Sequence, residues 1–165
     1  MERTMSMIQL PMQERSGVSD ALLPSRNFGA VLSGAARERR MTWAAGLFNN
    51  FIDSNESIGR TATQVVGRVT WLPIISDDES NLVHLGFGAR LSNGKQGAQF
   101  FTEPEFNKSP VFVDTDLLDS DGIQQYNIEA SWRRGPFWLG GEYVSTAVDS
   151  PVGFDPTFTG WHVTG

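Results

Sequence analysis

The sequence predicts an all-β protein whose antiparallel strands run up and down in chain order. Three observations carry this expectation. Segments of roughly 8–12 residues alternate in polarity, as strands with one apolar and one polar face do. The stretches between them alternate between short and long. Aromatic side chains fall at the ends of several segments, on the apolar parity. Seven such segments are expected, near 26–33, 41–49, 61–72, 81–91, 123–133, 136–145 and 158–164.

The alternation is visible residue by residue. Over 64–71 the odd positions are Val65, Gly67, Val69 and Trp71, and the even ones include Gln64, Arg68 and Thr70. Over 83–91 every odd position is apolar, while the even ones are His84, Gly86, Gly88 and Arg90. Over 125–133 the apolar residues are Tyr126, Ile128, Ala130 and Trp132, and every odd position is polar. A soluble sandwich would give the same pattern. The connections add an independent signal. Those at 34–40, 73–80 and 134–135 are short, and those at 50–60, 92–122 and 146–157 are long. Strictly alternating short turns and long loops are the pattern of an up-and-down transmembrane β-barrel, and a Greek-key sandwich has no reason to produce it.

The aromatics fit the same geometry. Trp43, Trp71, Trp132, Phe137 and Tyr143 are the candidates for the lipid interface, where barrels carry aromatic girdles. Residues 1–25 read as a separate irregular or partly helical segment, a candidate for folding inward, with Pro11 and Pro24 as breakers. Residues 26–165 form the strand-bearing part.

Composition is compatible with this fold but does not identify it. Mean hydropathy is -0.25 and 39% of the 165 residues are hydrophobic. A barrel strand shows lipid only at every second position, which leaves average hydropathy low. There is no cysteine, so disulfides and thiolate metal sites are excluded. The formal net charge is -6, with acids grouped at Asp77-Asp78-Glu79 and along 114–121, and no polybasic stripe that would suit nucleic acid.

Enzymatic motifs are missing. No G-x-S-x-G nucleophile elbow occurs. His84 and His162 without cysteine make a poor zinc set, and His84 reads as a hydrogen-bonding residue of the polar face. A calcium-loop register would place Leu117 at its first ligand and Ile128 at its last, so that pattern fails. Gly86-Phe87-Gly88 lies within a strand and lacks the third glycine of a dinucleotide loop, so it reads as backbone room in a curved sheet. No cofactor and no catalytic residue are expected.

Several stretches resemble one known family. Glu14-Arg15-Ser16, followed by the run from Asp20 through Asn27 and Phe28-Gly29, is similar to its "ER…DAL.P.RN.G" opening. Val83-His84-Leu85-Gly86, Phe112-Val113-Asp114-Thr115, Gly135-Pro136-Phe137 with Gly141-Glu142-Tyr143, and Phe158-Thr159-Gly160-Trp161 resemble later motifs, in the same order. The family is the phosphate-selective porin O and P family. The resemblance spans roughly 14–164 and implies about seven strands of a sixteen-stranded outer-membrane barrel that trimerises and lets small anions, phosphate among them, diffuse across the bacterial outer membrane. Members carry a signal peptide and earlier strands, so the resemblance also implies an N-terminally truncated, internal piece. It further implies an arginine ladder along the pore. By face parity the candidates here are Arg68, Arg90 and Arg133, with Arg26 and Arg60 near strand starts. Arginine is permanently charged and its planar fork matches phosphate. Two alternatives stand beside this expectation. The arginines pair with Glu129, Glu142 and loop acids in a general, non-selective porin, or the chain is a soluble β-sandwich binding module.

Overall fold

The computed structural model describes residues 16–23, 27–49, 62–93, 97–103 and 110–165. The described residues are all-β apart from one short helix. Seven long strands form a single antiparallel sheet: β1 (Phe28–Ala36), β2 (Met41–Asn49), β3 (Thr63–Ile75), β4 (Asn81–Asn93), β7 (Gly122–Arg134), β8 (Phe137–Asp149) and β9 (Thr157–Thr164). Each pairs with the next long strand along the chain. The sheet is open, with β1 and β9 at its edges. The long connection after β4 holds a two-residue pair, β5 (Phe101–Thr102) with β6 (Val113–Asp114), and an isolated Ala98–Leu118 bridge. Helix α1 (Gly17–Leu22) precedes the sheet, its N-terminus capped by the Ser16 hydroxyl accepting from Ser19 N at 3.2 Å.

All seven expected segments are strands: β1 and β3 run three residues further into their short turns and start two residues later, β4 and β8 run two and four residues further into the long loops, and the others shift by at most one residue. The short turns are each explained by local chemistry. Between β7 and β8 only Gly135 and Pro136 remain. Gly135 has φ 57°, and proline fixes the next φ near −65°, the sign pattern of a II′ hairpin turn. Between β3 and β4, Asp78 Oδ1 accepts from Ser76 Oγ (2.6 Å), Ser80 N (3.1 Å) and Ser80 Oγ (2.8 Å). These donors hold the Asp78 carboxyl down at about 2, well under its ordinary value. Pro73, which has no N–H to give the ladder, coincides with a register shift between Trp71 and Ile74. The β1–β2 turn is unusual: Arg37, Glu38 and Arg39 all have positive φ (51°, 55° and 68°).

The sheet is inside out relative to a water-soluble one. Direct cross-strand partners share a face, and one row runs through Gly34, Trp43, Val69, Phe87, Ile128, Tyr143 and Trp161. Its neighbours on that face include Leu32, Leu47, Val65, Trp71, Leu85, Leu91, Trp132, Leu139 and Val163, and all of these are exposed. The opposite face buries Gln64, Gln125, Glu129, Ser131, Glu142 and Thr146. A small apolar core also sits on this second face, at the long-loop end of β7–β9. There α1 and the β5–β6 connection fold back over the sheet, and Leu22, Ala98 and Phe100 pack with Val144 and Val148. Phe100 meets Phe158 with ring centroids 5.1 Å apart. Gln125 Nε2 donates to the Leu22 carbonyl at 2.6 Å, and Ser16 Oγ lies 3.1 Å from His162 Nδ1.

Candidate functional site

The polar face is the candidate site, and strand register places its residues. Arg68 on β3 lies opposite Gly88 on β4, which lies opposite Asn127 on β7. One step along, Thr70 faces Gly86, Gly86 faces Glu129, Glu129 faces Glu142, and Glu142 faces His162. Two glycines of the same parity therefore leave a trough without side chains along β4. Neighbouring side chains fill it. A Cβ on Gly86 would sit 2.5 Å from Glu129 Cγ, and one on Gly88 would overlap Asn127 Oδ1.

The trough allows contact across an intervening strand. Arg68 Nη2 donates to Glu129 Oε1, although β3 and β7 are not neighbours. His84 Nε2 reaches the same oxygen at 3.0 Å. Glu129 is 1% exposed, whereas the Arg68 side chain keeps about a third of its surface (34%). Beside this group, Asn127 Nδ2 donates to Glu142 Oε1 at 3.1 Å. At the edge of the same face, Thr42 and Thr70 hydroxyls are 2.5 Å apart.

The proposed ladder residues separate into three groups. Arg68 and Arg90 do share the polar face, on adjacent strands, with Arg90 between Val66 and Gln125. Arg68 is ion-paired, while Arg90 Nε is buried with no hydrogen-bond partner among the described residues. Arg133 has the same parity but sits exposed at the short-turn end of β7, its Nε directed to the Gly135 carbonyl at 3.5 Å. Arg26 and Arg60 lie outside the described residues. The five aromatics all lie on the apolar face and are exposed. Trp43, Trp71, Trp132 and Phe137 gather towards the short turns, while Tyr143 stands at the midpoint of β8. Trp161 joins them from β9 at 70% exposure, a position the sequence motif contained without marking its face.

Pattern reading offered Glu129 as an arginine partner in the general-porin alternative but did not single out Arg68. Parity put both on one face, but pairing across two strands needs the register and the empty β4 surface. The readable signal was the glycine pair between His84 and Arg90. Among the described residues no group of three or more His, Cys, Asp or Glu is arranged to hold a metal ion. Comparison with protein-family models, with curated proteins and with solved structures finds no match to this chain.

Proposed function

We propose that this chain forms part of the wall of a bacterial outer-membrane β-barrel porin, a passive channel for small anions such as phosphate or polyphosphate, and that it performs no catalysis. The observation that carries the reading is the inverted sheet. An apolar, aromatic-rich face runs across all seven strands, and the reverse face buries carboxylate, amide and guanidinium groups. Lipid outside and a polar lumen inside would stabilise that distribution, since each side then meets a medium of its own kind. In this arrangement Arg90 sets a positive charge in the lumenal side of the wall, with its Nε buried there, and α1 with the β5–β6 connection narrows the lumen. The motif resemblance supports the same class and suggests a trimer in outer-membrane lipid.

A second reading has one specific observation in its favour. The Arg68–Glu129 pair cancels its own charge, as a general, non-selective porin would require. Planar-bilayer recordings of the full-length protein separate the two. An anion channel gives a reversal potential of anion-selective sign in a KCl gradient, block by phosphate, and a loss of both in Arg90→Gln. A non-selective porin shows no phosphate block and no response to Arg90→Gln. A protein that inserts no conducting pore at all would refute both.

A further inference from the structure

Resting on the porin reading above, we propose that the apolar face of β7–β9 holds a phospholipid molecule at its short-turn end, with the phosphate on Arg134 and an acyl chain in the groove over Ala130 and Gly141. Strand register lays out three successive rows on that face. Nearest the turns, Arg134 lies between Asn81 and Phe137. In the next row Trp132 lies between Val83 and Leu139. In the third, Ala130 pairs with Gly141, which pairs with Val163. The third row therefore drops to a methyl group and a hydrogen. Trp132 and Leu139 rise on one side of it, and Ile128, Tyr143 and Trp161 on the other. The result is an open, almost wholly apolar groove of about 440 Å³, within the size range of ligand sites.

Charge decides the occupant. Arg134 breaks the alternation of β7, because Tyr126, Ile128, Ala130 and Trp132 lead up to it on the apolar parity. It is exposed, and its side chain makes no ion pair or hydrogen bond among the described residues. The adjoining β3–β4 turn carries Asp77, Asp78 and Glu79, but Asp78 is engaged by the Ser76 and Ser80 hydroxyls and none of the three is paired with Arg134. Arg134 stands two residues, or about 7 Å, beyond Trp132 along the strand. The polar layer on each side of a bilayer is about 5–8 Å thick. With Trp132 in the aromatic girdle at the hydrocarbon boundary, the Arg134 guanidinium falls at phosphate depth, where its planar fork matches the oxygens. Asn81, exposed and directly opposite on β4, adds an amide donor beside it. From the turn inward the wall runs from charge to aromatic belt to apolar hollow. A phospholipid presents the matching order of phosphate, glycerol ester and chain. A net-anionic headgroup is preferred, since a zwitterionic one brings its own cation towards the guanidinium.

Native mass spectrometry of the full-length protein, titrated in detergent with phosphatidylglycerol or phosphatidylcholine, counts the lipids bound. A cationic side chain at an anionic lipid surface is worth about a fivefold change in occupancy. The first phosphatidylglycerol should therefore bind about fivefold tighter than phosphatidylcholine. Arg134→Gln should remove that preference, and Arg134→Lys should keep most of it. Ala130→Leu leaves the charge in place but fills the groove, and should lose the first bound lipid of either kind. Inorganic phosphate at millimolar concentration should not displace it. Unchanged binding in R134Q or in A130L overturns the proposal and leaves the porin reading standing. Displacement by inorganic phosphate also overturns it, because Arg134 would then be a site for the free anion. So does loss of oligomer without loss of lipid in A130L, because the groove would then seat a second copy. If A130L does not fold, R134Q and R134K decide the matter at an exposed strand end. A full-length protein that stays in solution without detergent refutes the porin reading, and the inference with it.

Discussion

Replacing Gly86 with alanine tests the trough directly. The added methyl would sit 2.5 Å from Glu129 Cγ and 2.7 Å from its Cδ, inside van der Waals contact, and the obstacle is a buried side chain with little room to move. Overpacking of this kind costs about 1–3 kcal/mol. Displacing Glu129 also loosens its contact with Arg68. Breaking a fully buried pair costs about 3–5 kcal/mol, but Arg68 is a third exposed, so a contribution of about 1 kcal/mol is the appropriate share. The expected total is about 2–4 kcal/mol. Gly67 supplies the control. It lies on β3, its Cβ position has nothing within 4 Å, and alanine there should gain about 0.5–1 kcal/mol from reduced chain entropy. Urea unfolding in detergent micelles, followed by tryptophan fluorescence, should therefore move the two midpoints in opposite directions. With a slope of about 1–3 kcal/mol per molar, the separation is on the order of 1 M or more. Equal midpoints for Gly86→Ala and Gly67→Ala would falsify the trough. A double-mutant cycle sharpens the result: in an Glu129→Ala background the Gly86→Ala cost should shrink by more than about 1 kcal/mol, because the obstructing side chain is gone.

Other expectations follow from the turns and the apolar face. Asp78, held at about 2, favours the folded turn at any pH above its unfolded value near 3.9, and that contribution is lost as pH falls towards 2. An NMR titration should find its carboxyl still ionised at pH 3, and Asp78→Asn should abolish the acid sensitivity of the β3–β4 turn; an ordinary titration near 3.9 would remove the argument. Glu38, at φ 55° between two further left-handed residues, should tolerate glycine with a gain of about 0.5–1 kcal/mol, read from the same urea midpoints, and a loss would show that the turn does not hold that conformation. If lipid covers the apolar face, brominated phospholipids should quench Trp43, Trp71, Trp132 and Trp161, each introduced as a single tryptophan. Emission indifferent to the bromine would place that face against something else.

What the sequence disclosed follows from which forces are local. Strand alternation is local, so the parities of Arg68, His84, Arg90, Glu129 and Trp132 could be read directly, and the turn residues Gly135-Pro136 marked a hairpin by themselves. Boundaries were less legible, because strands continue as long as a partner strand continues, and that depends on the neighbour. An inward fold was expected of the segment over 1–25, but the part the β5–β6 connection takes in it was hidden for a different reason. Its apolar anchors are single residues scattered over distant stretches: Leu22, Ala98, Phe100, and then Val144, Val148 and Phe158 at polar-parity positions of β8 and β9. The last three broke the alternation, and that break was the available clue. A valine on the polar face needs an apolar cover, and here the chain supplies one. Pairing of Arg68 with Glu129 was least legible, since it is set by the width of a whole strand and by two missing side chains.

The membrane reading and the soluble-sandwich reading differ in what should cover the apolar face. A sandwich packs a second sheet onto it, about 10 Å away, and leaves the polar face to water. Among the described residues all seven long strands lie in one sheet, and the other sheet has two residues per strand. Leu22 of α1 and Ala98 and Phe100 of the β5–β6 connection pack on the polar-parity face, so the cover the described residues supply lies on the side a sandwich would leave wet. The side chains left exposed are large: Leu32 at 69%, Phe137 at 71% and Trp161 at 70%. Burying a residue of that size is worth about 1.5–3 kcal/mol, so a face bearing such residues on every strand leaves tens of kcal/mol unrealised in water. A contiguous apolar surface on that scale calls for a partner. A bilayer interior meets the requirement across all seven strands at once, and it does so with the polar groups of Arg68, Arg90 and Glu129 turned away from it.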